Sequence, residues 1–83
     1  MDLSEPINVW VLFKGNLIQP YSFFWKGHQI KVEKINLIHT TKIGSNLFYH
    51  FSISSGGNFY RIKFDLEKLK WFLEEVDEDS HQY

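Results

Sequence analysis

Residues 47–64 read LFYHFSISSGGNFYRIKF. Leu47, Tyr49, Phe51 and Ile53 alternate with Phe48, His50, Ser52 and Ser54, and Tyr60, Ile62 and Phe64 alternate with Arg61, Lys63 and Asp65. A period of two sends successive side chains to opposite faces of an extended strand, so each run has one face suited to a core. Between them stands Ser55-Gly56-Gly57-Asn58. Glycine supplies the positive φ that a tight hairpin needs, so the two runs are read as paired antiparallel strands.

The same alternation extends outward in both directions. Ile7 to Lys14 forms a first strand with Ile7, Val9, Val11 and Phe13 on one face and Trp10 and Leu12 on the other, so it is expected to be central or covered on both sides. Leu17-Ile18-Gln19-Pro20 leads into a second strand, Tyr21–Trp25. Lys26-Gly27 turns the chain into its longest run, His28 to His39. Ile30 and Val32 are out of phase with Ile35 and Leu37, which calls for a β-bulge near Glu33-Lys34. Leu66 to Val76 has two readings. Leu66, Leu69, Leu73 and Val76 fall at helical spacing with Asp65 as a cap, whereas a turn at Asp65–Lys68 followed by a strand would put Trp71 and Leu73 inside.

These runs make an all-β chain, a small curled antiparallel meander of about six strands. Both faces of several strands are apolar and too little chain remains to cover both sides. The sheet must therefore close toward a barrel, or a second copy must cover it. Residues 1–76 are expected to form one domain, and 77–83 an acidic disordered tail.

Composition narrows the function. Eight Phe, four Tyr and three Trp in 83 residues give a short chain an efficient core, since each ring removes about 150–250 Å² from water. There is no cysteine, which excludes disulfides, thiolate metal sites and a cysteine nucleophile. No apolar run approaches the roughly 18–20 residues of a membrane span, and the polar, acidic start is unlike a signal peptide, so a cytoplasmic protein is expected. The net charge of −1 conceals a split. All nine Lys and Arg lie between residues 7 and 72 with only Glu33, Asp65 and Glu67 against them, while Glu74, Glu75, Asp77, Glu78 and Asp79 crowd the end. Such polarity accompanies nucleic-acid-binding surfaces, and it also serves solubility where lysines guard strand edges.

No catalytic constellation stands out. His28, His39 and His50 lack the close ligand pairing of zinc sites, Glu33 has no carboxylate neighbour for acid–base work, and Lys42-Ile43-Gly44-Ser45 lacks the order of a phosphate loop. The reading is therefore of a chain that is not an enzyme, with no cofactor, metal or small-molecule substrate. The one suggestive pattern is basic residues among aromatics: Trp25, Lys26, Lys31, Lys34, Lys42, Phe59, Arg61 and Lys63. Lysines neutralise phosphates while exposed rings stack on bases. Phe59, Arg61 and Lys63 share one face of a strand and form the best local patch. A single arginine argues against base-specific readout.

The run from Gln19 to Val76 resembles a family of small bacterial all-β domains of unknown function, found alone or appended to Y-family DNA-polymerase-like proteins. The residues that carry the resemblance are Gln19-Pro20, Phe23-Phe24-Trp25-Lys26-Gly27, Ile30 to Ile35, Tyr49-His50-Phe51, the glycine hairpin before Phe59-Tyr60-Arg61, and Trp71 to Val76. The resemblance favours the strand over the helix for the closing segment and brings no catalytic residues. It implies at most an accessory role near nucleic acid. The expected function is a non-catalytic binding module for protein interaction or self-association, including a homodimer. The alternative is a weak, sequence-tolerant nucleic-acid binder, preferring single strands, accessory to DNA repair.

Overall fold

The computed structural model describes residues 2–78, with side chains from Ser4 onward. Its regular elements are all strands: β1 (Asp2–Lys14), β2 (Leu17–Trp25), β3 (His28–Lys31), β4 (Lys34–Ile43), β5 (Asn46–Ser55), β6 (Asn58–Asp65) and β7 (Lys70–Glu78). They form one antiparallel sheet in the order β3-β2-β1-β7-β6-β5-β4. Spatial neighbours are neighbours in sequence except β1 and β7, whose pairing sets the start of the chain beside its end. The two edges, β3 and β4, are successive halves of one run. The Val32 N–H still donates to the Tyr21 carbonyl (2.8 Å), and the Glu33 N–H already donates to the Ser54 carbonyl (3.1 Å). One run therefore borders both ends of the sheet, which curls into a half-barrel.

Bulges produce the curl, because an unpaired extra residue bends a strand and increases its twist. β1 pairs with β7 up to Ile7 and with β2 from Asn8 onward. Tyr21 is the extra residue in β2, where Trp10 faces Ser22 and Val11 faces Pro20. The phase slip expected at Glu33-Lys34 arises differently. The ladder changes partner at Val32–Glu33, and Asn36 is the extra residue in β4. The expected six strands become seven for this reason.

The closing segment is a strand. A third bulge, at Glu74, accounts for its helical look: Leu73 pairs with Ile62 and Glu75 with Arg61, so Glu74 is extra and Val76 returns to the inner face three residues after Leu73. Leu66–Leu69 form the preceding turn. There the Asp65 carboxylate accepts from the N–H groups of Glu67 (3.0 Å) and Lys68 (3.1 Å), and the Leu69 N–H closes on the Asp65 carbonyl (2.8 Å). Leu69 ends the turn at φ +58°, a conformation most side chains avoid. Of the acidic segment expected to be unstructured, Asp77 and Glu78 pair with Phe59 and Asn58 in the ladder, and residues 79–83 lie outside those described.

The inner face holds the core. Phe23, Phe51, Ile53, Ile62 and Leu73 are fully buried, joined by Tyr60, Phe64, Trp71 and Val76. Trp71 stacks on Phe64 with ring centroids 4.5 Å apart and meets Phe51 at 5.7 Å, while Phe23 meets Tyr60 edge to face at 5.4 Å. Val9 and Val11 pack against this cluster from β1. β1 is central in the sheet, but its outer face is not covered: Trp10 is 49% exposed.

Candidate interaction surface

Three regions of the surface carry chemistry. The first is the outer face of β5, β6 and β7, where the best local patch was expected. Phe59 is exposed there, but Arg61 and Lys63 are already occupied. The Arg61 guanidinium meets Glu75 at 2.6 Å and Glu74 at 3.3 Å. Lys63 Nζ sits 5.4 Å from the Phe48 ring centroid and 5.3 Å from that of Phe72, its charge held between two ring faces. Glu75 and Asp77 line the shallow hollow beside Phe59 and Arg61. Carboxylates there oppose a polyanion.

The same face carries a relay that the sequence did not reveal. Thr41 Oγ1 lies 2.8 Å from His50 Nε2, and His50 Nδ1 lies 2.8 Å from Glu74 Oε1, which also accepts from Arg61 Nε. The His39 ring stacks on His50 at 4.6 Å. These residues come from four strands, and the Glu74 bulge is what aims its carboxylate at His50. A hydroxyl, an imidazole and a carboxylate in series have the order of a nucleophile, base and orienting group. Thr41 is exposed at one end of the series and His50 is buried. Here the relay satisfies a buried histidine and ties β4 and β5 to β7.

The second region is the outer face of β1 and β2. Cross-strand pairing puts Trp10, Leu12, Leu17 and Phe24 on it, and all four are exposed. Trp10 and Phe24 meet edge to face at 5.1 Å. Trp25 points to the other face, where its indole N–H reaches Glu5 (3.4 Å), its ring meets Tyr60 and Lys26 lies 4.7 Å above it. Lys26 and Lys31 are exposed on the β2–β3 hairpin, and Lys34 and Lys42 at the two ends of β4. The eight residues singled out in the sequence thus do not converge. They spread over the β2–β3 hairpin, the β4 edge and the β6 face.

The third region is the open seam of the half-barrel. β2 pairs with β3 only from Ser22 onward, so Leu17–Pro20 have ladder partners on the β1 side alone. Among the described residues β4 pairs with β5 alone along its whole length. Leu17, Ile18 and Gln19 face Ile35, Leu37 and Ile38 across an open groove of about 580 Å³, within the roughly 300–1,000 Å³ typical of binding sites. Leu37 (57% exposed), Ile38 and Ile43 stand out along β4. The alternation of the 28–39 run pointed to a strand, but only the register shows that it is an edge.

No group of three His, Asp or Glu among the described residues is placed to hold a metal ion, and no helix there is long and apolar enough to cross a membrane. Comparisons with protein-family models, curated proteins and solved structures give no match. The fold and its surface define a small all-β half-barrel with an open strand edge and an uncovered apolar face.

Proposed function

We propose that this chain is a non-catalytic binding module that mediates protein interaction or self-association. The observation that carries the reading is the concentration of exposed apolar side chains on strands that lack a covering layer. Trp10, Leu12, Leu17 and Phe24 stand on the outer face of β1–β2, and Leu37, Ile38 and Ile43 on β4, which among the described residues has a ladder partner on one side only. Contiguous apolar surface and a long free strand edge are what soluble monomers avoid and what interacting proteins use. Full burial of a large apolar side chain is worth about 1.5–3 kcal/mol, and completing the burial of these half-exposed ones contributes a fraction of that each, so several must be covered together to offset the entropy cost of association.

The nucleic-acid reading has less support. Arg61 and Lys63 are neutralised or held between rings, and Trp25 is tied to Glu5 and Tyr60.

Sedimentation velocity over a range of chain concentrations, with Trp10→Glu and Leu37→Glu beside the parent, tests the binding reading. A parent that self-associates while either variant stays monomeric supports it directly. If all three are monomeric, a titration with extended peptides must show binding that the variants weaken. Binding only to single-stranded oligonucleotides, falling steeply with salt, would replace the proposal with the nucleic-acid reading.

A further inference from the structure

We infer that the β4 edge takes an extended, acidic peptide from another protein, added antiparallel as a further strand at the open seam. This rests on the binding-module reading above and names its partner. Backbone geometry supplies the first argument. β4 offers an edge with no ladder partner beyond β5 among the described residues, and strand addition draws affinity from such main-chain groups. Side chains supply the second. Ile35 and Ile38 pair with core residues Ile53 and Phe51 and face inward at the seam, whereas Leu37 pairs with Ser52 and faces out. An added strand would thus find apolar neighbours on both faces, matching alternate side chains of its own.

Charge decides the kind of strand. β4 carries Lys34 and Lys42 and no carboxylate, and the opposite wall of the seam, β2, carries none either. Of the acids near β4, Glu33 accepts the Gly56 N–H at 3.2 Å, Glu74 is paired with His50 and Arg61, and Glu75 is paired with Arg61. Pairing two copies of β4 edge to edge would bring Lys34 and Lys42 of both copies together with no carboxylate on either strand, and lysines so placed on an edge disfavour self-pairing. A strand with carboxylates at its ends meets opposite charges instead. The aliphatic character of the edge argues for peptide over nucleic acid, since Leu37, Ile38 and Ile43 offer no ring on which a base can stack.

The test is a fluorescence-anisotropy titration of the full chain with a short synthetic peptide alternating valine and glutamate. Three other probes run beside it: the same peptide with lysine for glutamate, one with proline for each valine, and an oligo-dT strand. Hydrogen exchange over residues 34–43 is measured in parallel. The glutamate peptide should bind and slow exchange along β4, and the proline peptide, unable to donate to a ladder, should not. Lys34→Glu combined with Lys42→Glu should weaken the glutamate peptide by about five-fold, two exposed charge pairs being lost. Both lysines are exposed, and an unchanged thermal midpoint would show that the variant folds. Equal binding of the glutamate and lysine peptides, or binding of oligo-dT alone, overturns the inference. So does protection of β4 by a second copy, which would leave the binding-module reading standing. Absence of both peptide binding and self-association would remove the two together.

Discussion

At the scale of single residues, burial separates the tryptophans into different roles. Trp71 is 8% exposed and touches Phe64 and Phe51, so Trp71→Ala should cost about 3–5 kcal/mol in denaturant unfolding. Trp10 contributes mainly its edge-to-face contact with Phe24, so Trp10→Ala should cost only about 1 kcal/mol. A large loss at Trp10 would mean that its face is structural and not a docking surface. Leu69 offers the opposite sign. Its φ of +58° strains a leucine that is 72% exposed, so Leu69→Gly should stabilise by about 0.5 kcal/mol, read as a rise in the denaturation midpoint at constant slope. Asp65 sets an acid limit. Burial pushes its carboxyl upward, but the Lys68 N–H, the Asn46 side chain, the Glu67 N–H and the Lys68 charge outweigh that and hold it below the ordinary value. The folded chain therefore binds this proton less readily than the unfolded one. The stabilisation is complete above the unfolded value of about 4 and is lost as pH falls through the lower folded value. Asp65→Asn should flatten that part of the stability–pH profile.

At the scale of elements, bulges explain both what was legible in the sequence and what was not. Clean alternation in Leu47–Ser54 and Tyr60–Phe64 gave β5, β6 and their inner faces directly, and the glycine hairpin fixed their pairing. The closing strand stayed ambiguous because the Glu74 bulge puts Val76 three residues after Leu73, the spacing of a helix. The third run showed a phase slip, but alternation cannot tell a bulge from a change of partner, and the chain uses both, at Asn36 and at Val32–Glu33. The basic patch on β6 was correctly placed on one face. The pairing of Arg61 with Glu74 and Glu75 depends on cross-strand register, which composition does not encode. The Thr41–His50–Glu74 relay was hidden for the same reason, its members lying on three strands far apart in sequence. Glu74→Ala removes the partner of buried His50 Nδ1 and one partner of Arg61, so it should cost about 1–3 kcal/mol. A double-mutant cycle with His50→Ala should recover most of that cost as coupling, and strict additivity would show the relay to be energetically idle.

At the scale of the whole molecule, the half-barrel is closed in its core and open at its rim. The core depends on β5, β6 and β7, with β2 contributing Phe23 and β1 packing Val9 and Val11 against it. β4 is different: nine of its ten residues are exposed and it is held from one side only. Exposed edges of this length invite pairing, and lysines at Lys34 and Lys42 limit promiscuous self-pairing while leaving an opposite charge welcome. The proposed binding role follows from that combination, and it requires the β4 edge to be free in the isolated chain. Native-state hydrogen exchange at high dilution tests this most directly, comparing amides of residues 34–43 with those of β6 and then repeating the comparison with the valine–glutamate peptide. The account predicts fast exchange along the outward-facing amides of β4, slow exchange in β6, and slowing of the former when the peptide is present. Amides of β4 as protected as those of β6 in the dilute, unliganded chain would contradict it, since the seam would then be closed without a partner.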